Sequence, residues 1–254
     1  MRFFYRHIAM GGKRKELAMI KTVFYDLDGT LLPMDMDKFM KAYFGAIAMK
    51  MGPLGYDKEK LIAAIWAGTR VMVKNDGSRT NEEAFWDYFC KEMNIDIDKK
   101  EVFEDFYRNE FDSVQASCGY NEEVPKLIKT VREMGLKQVL ATNPIFPSIA
   151  TEKRMAWAGL SISDFETVTT YENSHYSKPN PMYYEELLNK LNLKAEETLM
   201  IGNDAVEDVA AMKTGMKVFI VTDCLLNPTN EDISSIPQGN FSDALAYIRK
   251  LLEE

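Results

Sequence analysis

Cysteine is scarce in this chain, and positive charge is outweighed. Its three cysteines, Cys90, Cys118 and Cys224, are odd in number and widely scattered. That excludes a disulfide framework or a cysteine-built metal site and implies reduced thiols in a cytoplasmic protein. Lys and Arg number 31 against 39 Asp and Glu, leaving a net charge of −8 and a pI near 5.1. A nucleic-acid partner requires the opposite, a basic surface. No apolar run approaches the roughly eighteen residues of a membrane-spanning helix, and there is no internal repeat or low-complexity tract. What is present is a hydrophobic fraction of 46% over 254 residues, enough for one large domain or for a core carrying a smaller insert.

Residues 1–18 are basic, contain Gly11 and Gly12, and lack the apolar core of a secretory signal. They read as an extension ahead of the first strand, with Met19 directly before it. Arg14, Lys15 and Glu16 can be encoded AGG AAG GAG, a purine run like a bacterial ribosome-binding site set two codons upstream of Met19. Translation is therefore expected to start at Met19; the alternative is a real flexible arm.

The chain is organised around Asp26-Leu27-Asp28-Gly29-Thr30, which ends the run Thr22-Val23-Phe24-Tyr25. That run is β-branched and aromatic, the composition of a strand buried on both faces of a parallel sheet. Strand alternation puts Asp26 and Asp28 on one side, at the carboxyl end where α/β sheets bind ligands. Two carboxylates about 4 Å apart repel by roughly 4 kcal/mol at a surface-like dielectric. Either a cation joins them or one stays protonated, and both conditions suit phosphoryl transfer. An exposed Asp-Gly turn is the plain alternative.

Three further elements follow. Thr142 ends the apolar run Gln138-Val139-Leu140-Ala141, Lys178 lies in Ser177-Lys178-Pro179, and Gly202-Asn203-Asp204, with Asp208 beyond, follows Thr198-Leu199-Met200-Ile201. In this order the four resemble the motifs of the haloacid dehalogenase superfamily, over about residues 20–222. The resemblance implies an α/β fold: a Rossmann-like doubly wound parallel sheet with an inserted α-helical cap. It also implies hydrolysis of a small phosphorylated metabolite through an aspartyl-phosphate. Asp26 would be the nucleophile and Asp28 the acid and base. Gly29, Thr30, Thr142, Asn143 and Lys178 would bind the phosphoryl group. The implied cofactor is Mg²⁺, held by Asp26, the Asp28 carbonyl and Asp204, with Asp208 close by or holding a coordinating water. Asn203 stands where many members carry aspartate, so the metal-ligand position falls to Asp204 or to Asn203; a neutral amide is the weaker ligand, which favours Asp204.

Between the first and second strands, apolar residues recur at helical spacing in four stretches, around 36–51, 61–66, 84–89 and 102–107. The domains expected are a core of 19–32 and 119–254 and a four-helix cap of 33–118, hinged near 32–34 and 116–120. The aromatic and methionine stripes of these helices read as core. Arg70, Lys74 and Arg79 could reach an anionic substrate tail or form a solvated face, and His175 reads as a loop residue. Beyond Asn121, α/β alternation resumes: helices at 122–134, 147–158, 181–192, 205–214 and 241–252, strands at 137–142, 166–170, 198–201 and 217–221, and a loop over 228–240.

Competing readings remain. Asp28 argues against a dehalogenase, which has no alkoxide to protonate. A phosphosugar mutase of the same superfamily stays open, as does a non-enzymatic phosphoacceptor or binding protein. Receiver domains, though, are about half this length and lack a helical insert.

Overall fold

The computed structural model describes residues 19–253; the expectation for residues 1–18 falls outside them. Strand β1 (Thr22–Tyr25) is buried along its whole length. It pairs in parallel with β2 (Lys137–Leu140) on one side and β4 (Thr198–Gly202) on the other. With β3 (Thr167–Val168), β5 (Lys217–Val221) and β6 (Gln238–Gly239) the sheet has the order β3-β2-β1-β4-β5-β6, every pair parallel. The order reverses at β1 and β4, so the crevice beyond their carboxyl ends is the sheet's switch point.

Side-chain alternation divides the apolar residues between two faces. Phe24, Val139, Met200 and Ile220 pack with Tyr183, Tyr184 and Leu187 of α7 (Pro181–Lys190). Val23, Tyr25, Leu140, Ile201 and Phe219 join the larger cluster that includes α5 (Glu123–Glu133), α6 (Ser148–Trp157) and α8 (Phe241–Glu253). A parallel sheet covered by helices on both faces is an α/β, Rossmann-like architecture.

The four helical stretches form α1 (Met36–Met51), α2 (Lys58–Val73), α3 (Asn81–Met93) and α4 (Lys100–Asn109). Asp35 and Asp57 cap the first two by accepting the amides of Lys38 and Lys60, and Thr80 with Glu83 forms a capping box on the third. The chain enters and leaves this insert through one neck. Met34 bridges antiparallel to Cys118, and the Gly119 amide donates to the Pro33 carbonyl at 2.8 Å.

Three expectations need correction. Residues 205–214 are not an α-helix: a 3₁₀ turn covers only Val209–Thr214. The Asp204 and Asp208 carboxylates accept the amides of Val206, Glu207, Asn203 and Asp204, so side chains take up amides at the start of the expected helix. Strand β3 is shorter than 166–170, because Asn173 accepts the Thr170 amide and donates to the Val168 carbonyl. Strand β6 lies inside the expected loop 228–240; its two residues, Gln238 and Gly239, carry no apolar pattern and are held by backbone pairing to β5 and by the Gln238 side chain, which donates to the Ile233 carbonyl at 2.9 Å.

Candidate active site

Asp26 follows β1 and is fastened by its amide to the Ile201 carbonyl of β4, 2.9 Å away. Strand β1 ends at Tyr25, so alternation does not carry on to Asp28. Both carboxylates nonetheless line one cavity, because the loop folds back. The Gly29 amide donates to the Leu32 carbonyl and the Leu32 amide to the Leu27 carbonyl. Gly29 has φ of +88°, and a Cβ there would lie 2.2 Å from Asn203 Nδ2.

Lys178 is completely buried. Its Nζ donates to Asp26 Oδ1 at 2.8 Å and to Asp208 Oδ1 at 2.6 Å. Burial works against the ammonium, but the Asp208 and Asp26 carboxylates overturn it and push its pKa well above the usual lysine value. Asp208 Oδ2 accepts the amides of Asn203 and Asp204 at 2.9 and 3.0 Å. Gly202 makes room for it, since a Cβ there would sit 2.1 Å from Asp208 Oδ2. Gly202→Ala is therefore expected to lower the unfolding free energy in urea by on the order of 2–4 kcal/mol, as overpacking displaces a paired buried carboxylate. A loss below about 1 kcal/mol would show that Asp208 is free to move aside.

Thr142 lies past β2. Its carbonyl accepts the Thr169 hydroxyl at 2.6 Å and the Tyr183 hydroxyl at 2.9 Å, which fixes the loop at the cavity wall. Asn143 donates Nδ2 to both Glu207 carboxylate oxygens at 2.9 Å and accepts the Lys178 amide at 3.2 Å. The Lys178–Pro179 peptide is cis. Thr30 donates to Asn203 Oδ1 at 3.0 Å and lies 3.5 Å from Asp26 Oδ2. Asn203 in turn donates to the Cys224 carbonyl at 2.7 Å, so both ends of its carboxamide are used within the protein. Asp204 accepts two amides through Oδ1 and lines the cavity. The structure thus brings together every residue expected at the site.

Two residues were not anticipated. Arg154 of α6 is fully buried, pairs with Asp28 Oδ2, and stacks 4.5 Å over the Phe146 ring. Its Nε donates to the Ala150 carbonyl and a terminal nitrogen to the Thr151 hydroxyl. The other Asp28 oxygen, Oδ1, is buried and has no hydrogen-bond partner among the described residues. Glu207, between Asp204 and Asp208, is pushed up to about 8 by burial, against the pull of Lys178 and with added repulsion from neighbouring aspartates. A signal for Arg154 did exist: it shares the buried face of α6 with Ala150, Thr151 and Trp157, where an arginine requires a partner.

Asp26 is pushed up to about 7, first by burial and then by Asp208 and Asp28, with Lys178 opposing. Burial likewise raises Asp204. These carboxylates crowd more negative charge together than Lys178 and Arg154 neutralise, an environment suited to a hard divalent cation. Among the described residues no three His, Cys, Asp or Glu side chains form a metal cluster. The set implied for Mg²⁺ needs only two carboxylates and a backbone carbonyl, since this ion keeps waters and substrate oxygens. The Asp28 carbonyl accepts none of the backbone hydrogen bonds that close its loop, and the donors therefore fit.

The cavity measures about 310 Å³ and extends from the carboxylates into the insert, where Met36, Met40 and Phe44 line it. The α1 stripe read as core is thus partly cavity wall. Arg70, Lys74 and Arg79 are exposed and do not line it; Arg79 pairs with Asp87. His175 pairs with Glu186 at 2.7 Å, away from the cavity.

A family model described as haloacid dehalogenase-like hydrolase matches residues 23–221. A glyceraldehyde 3-phosphate phosphatase of Pyrococcus abyssi is 30% identical over 210 residues, covering 78% of this chain and 80% of that protein. The pyrophosphatase PpaX of Halalkalibacterium halodurans is 28% identical over 104 residues, covering 39% of this chain and 45% of that protein. A HAD phosphatase structure from Thermococcus onnurineus superposes with a TM-score of 0.56 at 19% identity, covering 92% of this chain and 98% of that one. Among the described residues no helix is long and apolar enough to cross a membrane.

Proposed function

This chain belongs to the haloacid dehalogenase-like hydrolases, and we propose that it is a Mg²⁺-dependent phosphomonoester phosphatase acting on a small phosphorylated metabolite. The observation that carries this reading is the division of labour between a buried aspartate and a half-buried one. Asp26 has one oxygen held by Lys178. Asp28 has Oδ2 held by Arg154 and Oδ1 without a partner among the described residues.

In the first step the Asp26 carboxylate attacks phosphorus in line, the bond to the ester oxygen breaks, and a proton on Asp28 Oδ1 passes to the departing alcohol. In the second, Asp28 takes a proton from water as that water attacks the aspartyl-phosphate. The phosphorus–Asp26 bond breaks, releasing inorganic phosphate and restoring both carboxyl groups. Lys178 offsets charge on nucleophile and phosphoryl group, and Thr142 with the Asn143 amide hydrogen-bonds a phosphoryl oxygen. Gly29 lets the loop close beneath that group, and Thr30 holds the loop to Asn203. Mg²⁺ would be held by Asp26, the Asp28 carbonyl and Asp204, with Asp208 behind them, and when bound would neutralise the phosphate's charge. Asp204 is preferred to Asn203 because the Asn203 carboxamide is spent on Thr30 and Cys224.

On this reading residues 19–32 and 119–254 are the catalytic core, and 33–118 are a cap that excludes water. Unpaired Cys90, Cys118 and Cys224 suit a reducing cytoplasm. Mutase chemistry is disfavoured, since it must hold a twice-phosphorylated intermediate and no lysine or arginine of the insert lines the cavity.

The test is phosphate release from a panel of phosphomonoesters with Mg²⁺ and with chelator. Turnover that chelation stops and added Mg²⁺ restores is the expected result. Failure to hydrolyse any ester, with no phosphoryl group on Asp26 by mass spectrometry, overturns the proposal.

A further inference from the structure

We propose that the alcohol released from this substrate is uncharged and predominantly apolar, an alkyl or aryl group seated inside the helical insert; this rests on ester hydrolysis at Asp26. All four helices of the insert contribute to the cavity wall. Phe44 and Ile47 come from α1, Ile65 and Trp66 from α2, Trp86 from α3 and Tyr107 from α4. Among the described residues no lysine or arginine of the insert lines the cavity, and its acidic groups all belong to the phosphoryl end.

The few polar atoms of the insert's wall are taken up within the protein. The Tyr43 and Tyr107 hydroxyls lie 2.8 Å apart. Trp86 Nε1 donates to the Tyr171 hydroxyl at 3.2 Å, and the Thr69 hydroxyl donates to the Ile65 carbonyl at 3.0 Å. A phenol that accepts still has its own hydrogen to give, so this wall can meet one or two neutral acceptors. It offers no cation to a carboxylate or a second phosphate and too few partners for a row of sugar hydroxyls, each of which would lose water without full replacement. Trp66 lines the cavity while remaining 42% exposed, with its ring 5.5 Å from that of Phe44; it marks the mouth. A volume of about 310 Å³ lies at the small end for ligand pockets, with room for a ring or short chain.

The test compares ethyl, butyl and hexyl phosphate, whose alcohols are similar leaving groups, with glyceraldehyde 3-phosphate and ribose 5-phosphate. With transfer free energy captured at each methylene, kcat/KM is expected to rise about 3- to 4-fold per carbon, on the order of 100-fold from ethyl to hexyl. Trp66→Ala is expected to compress that ratio by about tenfold. A flat or falling series, or a sugar phosphate preferred over hexyl phosphate, overturns the substrate assignment and leaves the phosphatase standing. Should no ester be hydrolysed, tryptophan fluorescence of the intact protein titrated with hexylphosphonate and ethylphosphonate separates the two ideas. Tighter binding of the longer compound upholds the apolar pocket while the reaction falls. Equal or absent binding overturns the pocket as well.

Discussion

Asp26→Asn is expected to reduce phosphate release by on the order of 10⁴-fold or more in kcat, because an amide of the same shape cannot attack phosphorus. The substitution tests chemistry apart from fold. Lys178 keeps its bond to Asp208, and an asparagine oxygen at the same place still accepts from Nζ. Stability should move the other way in metal-free buffer. Burial has pushed Asp26 up to about 7, well above an unfolded aspartate, so the ionised form opposes folding. The opposition is absent below the unfolded value near 4 and grows as pH rises to the folded value. Asn carries no such cost, so the variant should melt at a higher temperature than the parent above pH 7, with the gap closing towards pH 4. Single-turnover assays and calorimetry measure the two effects. Residual turnover within tenfold of the parent would mean that another group attacks phosphorus.

Lys178→Met is expected to damage fold and activity together. Methionine fills most of the space, but Asp26 and Asp208 are then left facing each other in a buried site without the cation that both bind. Breaking a buried pair in this way costs about 3–5 kcal/mol, and phosphate release should fall beyond detection. Adding Asp208→Asn removes one of the stranded charges, so the double variant should regain about 2 kcal/mol while remaining inactive. Urea unfolding of the three proteins decides it. A single variant within about 1 kcal/mol of the parent would show that Lys178 is not the counter-ion.

Elements whose information is local could be read from the chain. Helix α1 follows from its apolar spacing, α7 from Asn180 followed by Pro181, and the ends of α5 and α6 from Gly135 and Gly159, which have positive φ. The residues proposed for the site were recognisable because three of the four motifs come shortly after a strand. What escaped depends on distant partners. Arg154 meets Asp28 across 126 positions, and nothing in its own neighbourhood says which acid it will hold. Glu207 looks like any acidic loop residue until Asn143 arrives 64 positions away in sequence. The cavity wall was illegible for another reason: Phe44 and Met40 have the spacing of packed core, and only the arrangement of four helices leaves space beside them.

The neck at Met34 and Cys118 also bears on how the chain finds its fold. The central strands must meet over a long span, for Tyr25 and Gln138 touch at a separation of 113 residues, and contacts so remote slow folding. Helices rich in local contacts form quickly. Once α1 to α4 have assembled, the neck holds the two ends of the insert together. The wandering loop between β1 and β2 is then reduced to the short arms on either side, which cuts the entropy of closing it. A helical segment inserted in mid-sheet, which by length alone would delay the pairing of β1 with β2, becomes the clasp that brings them within reach.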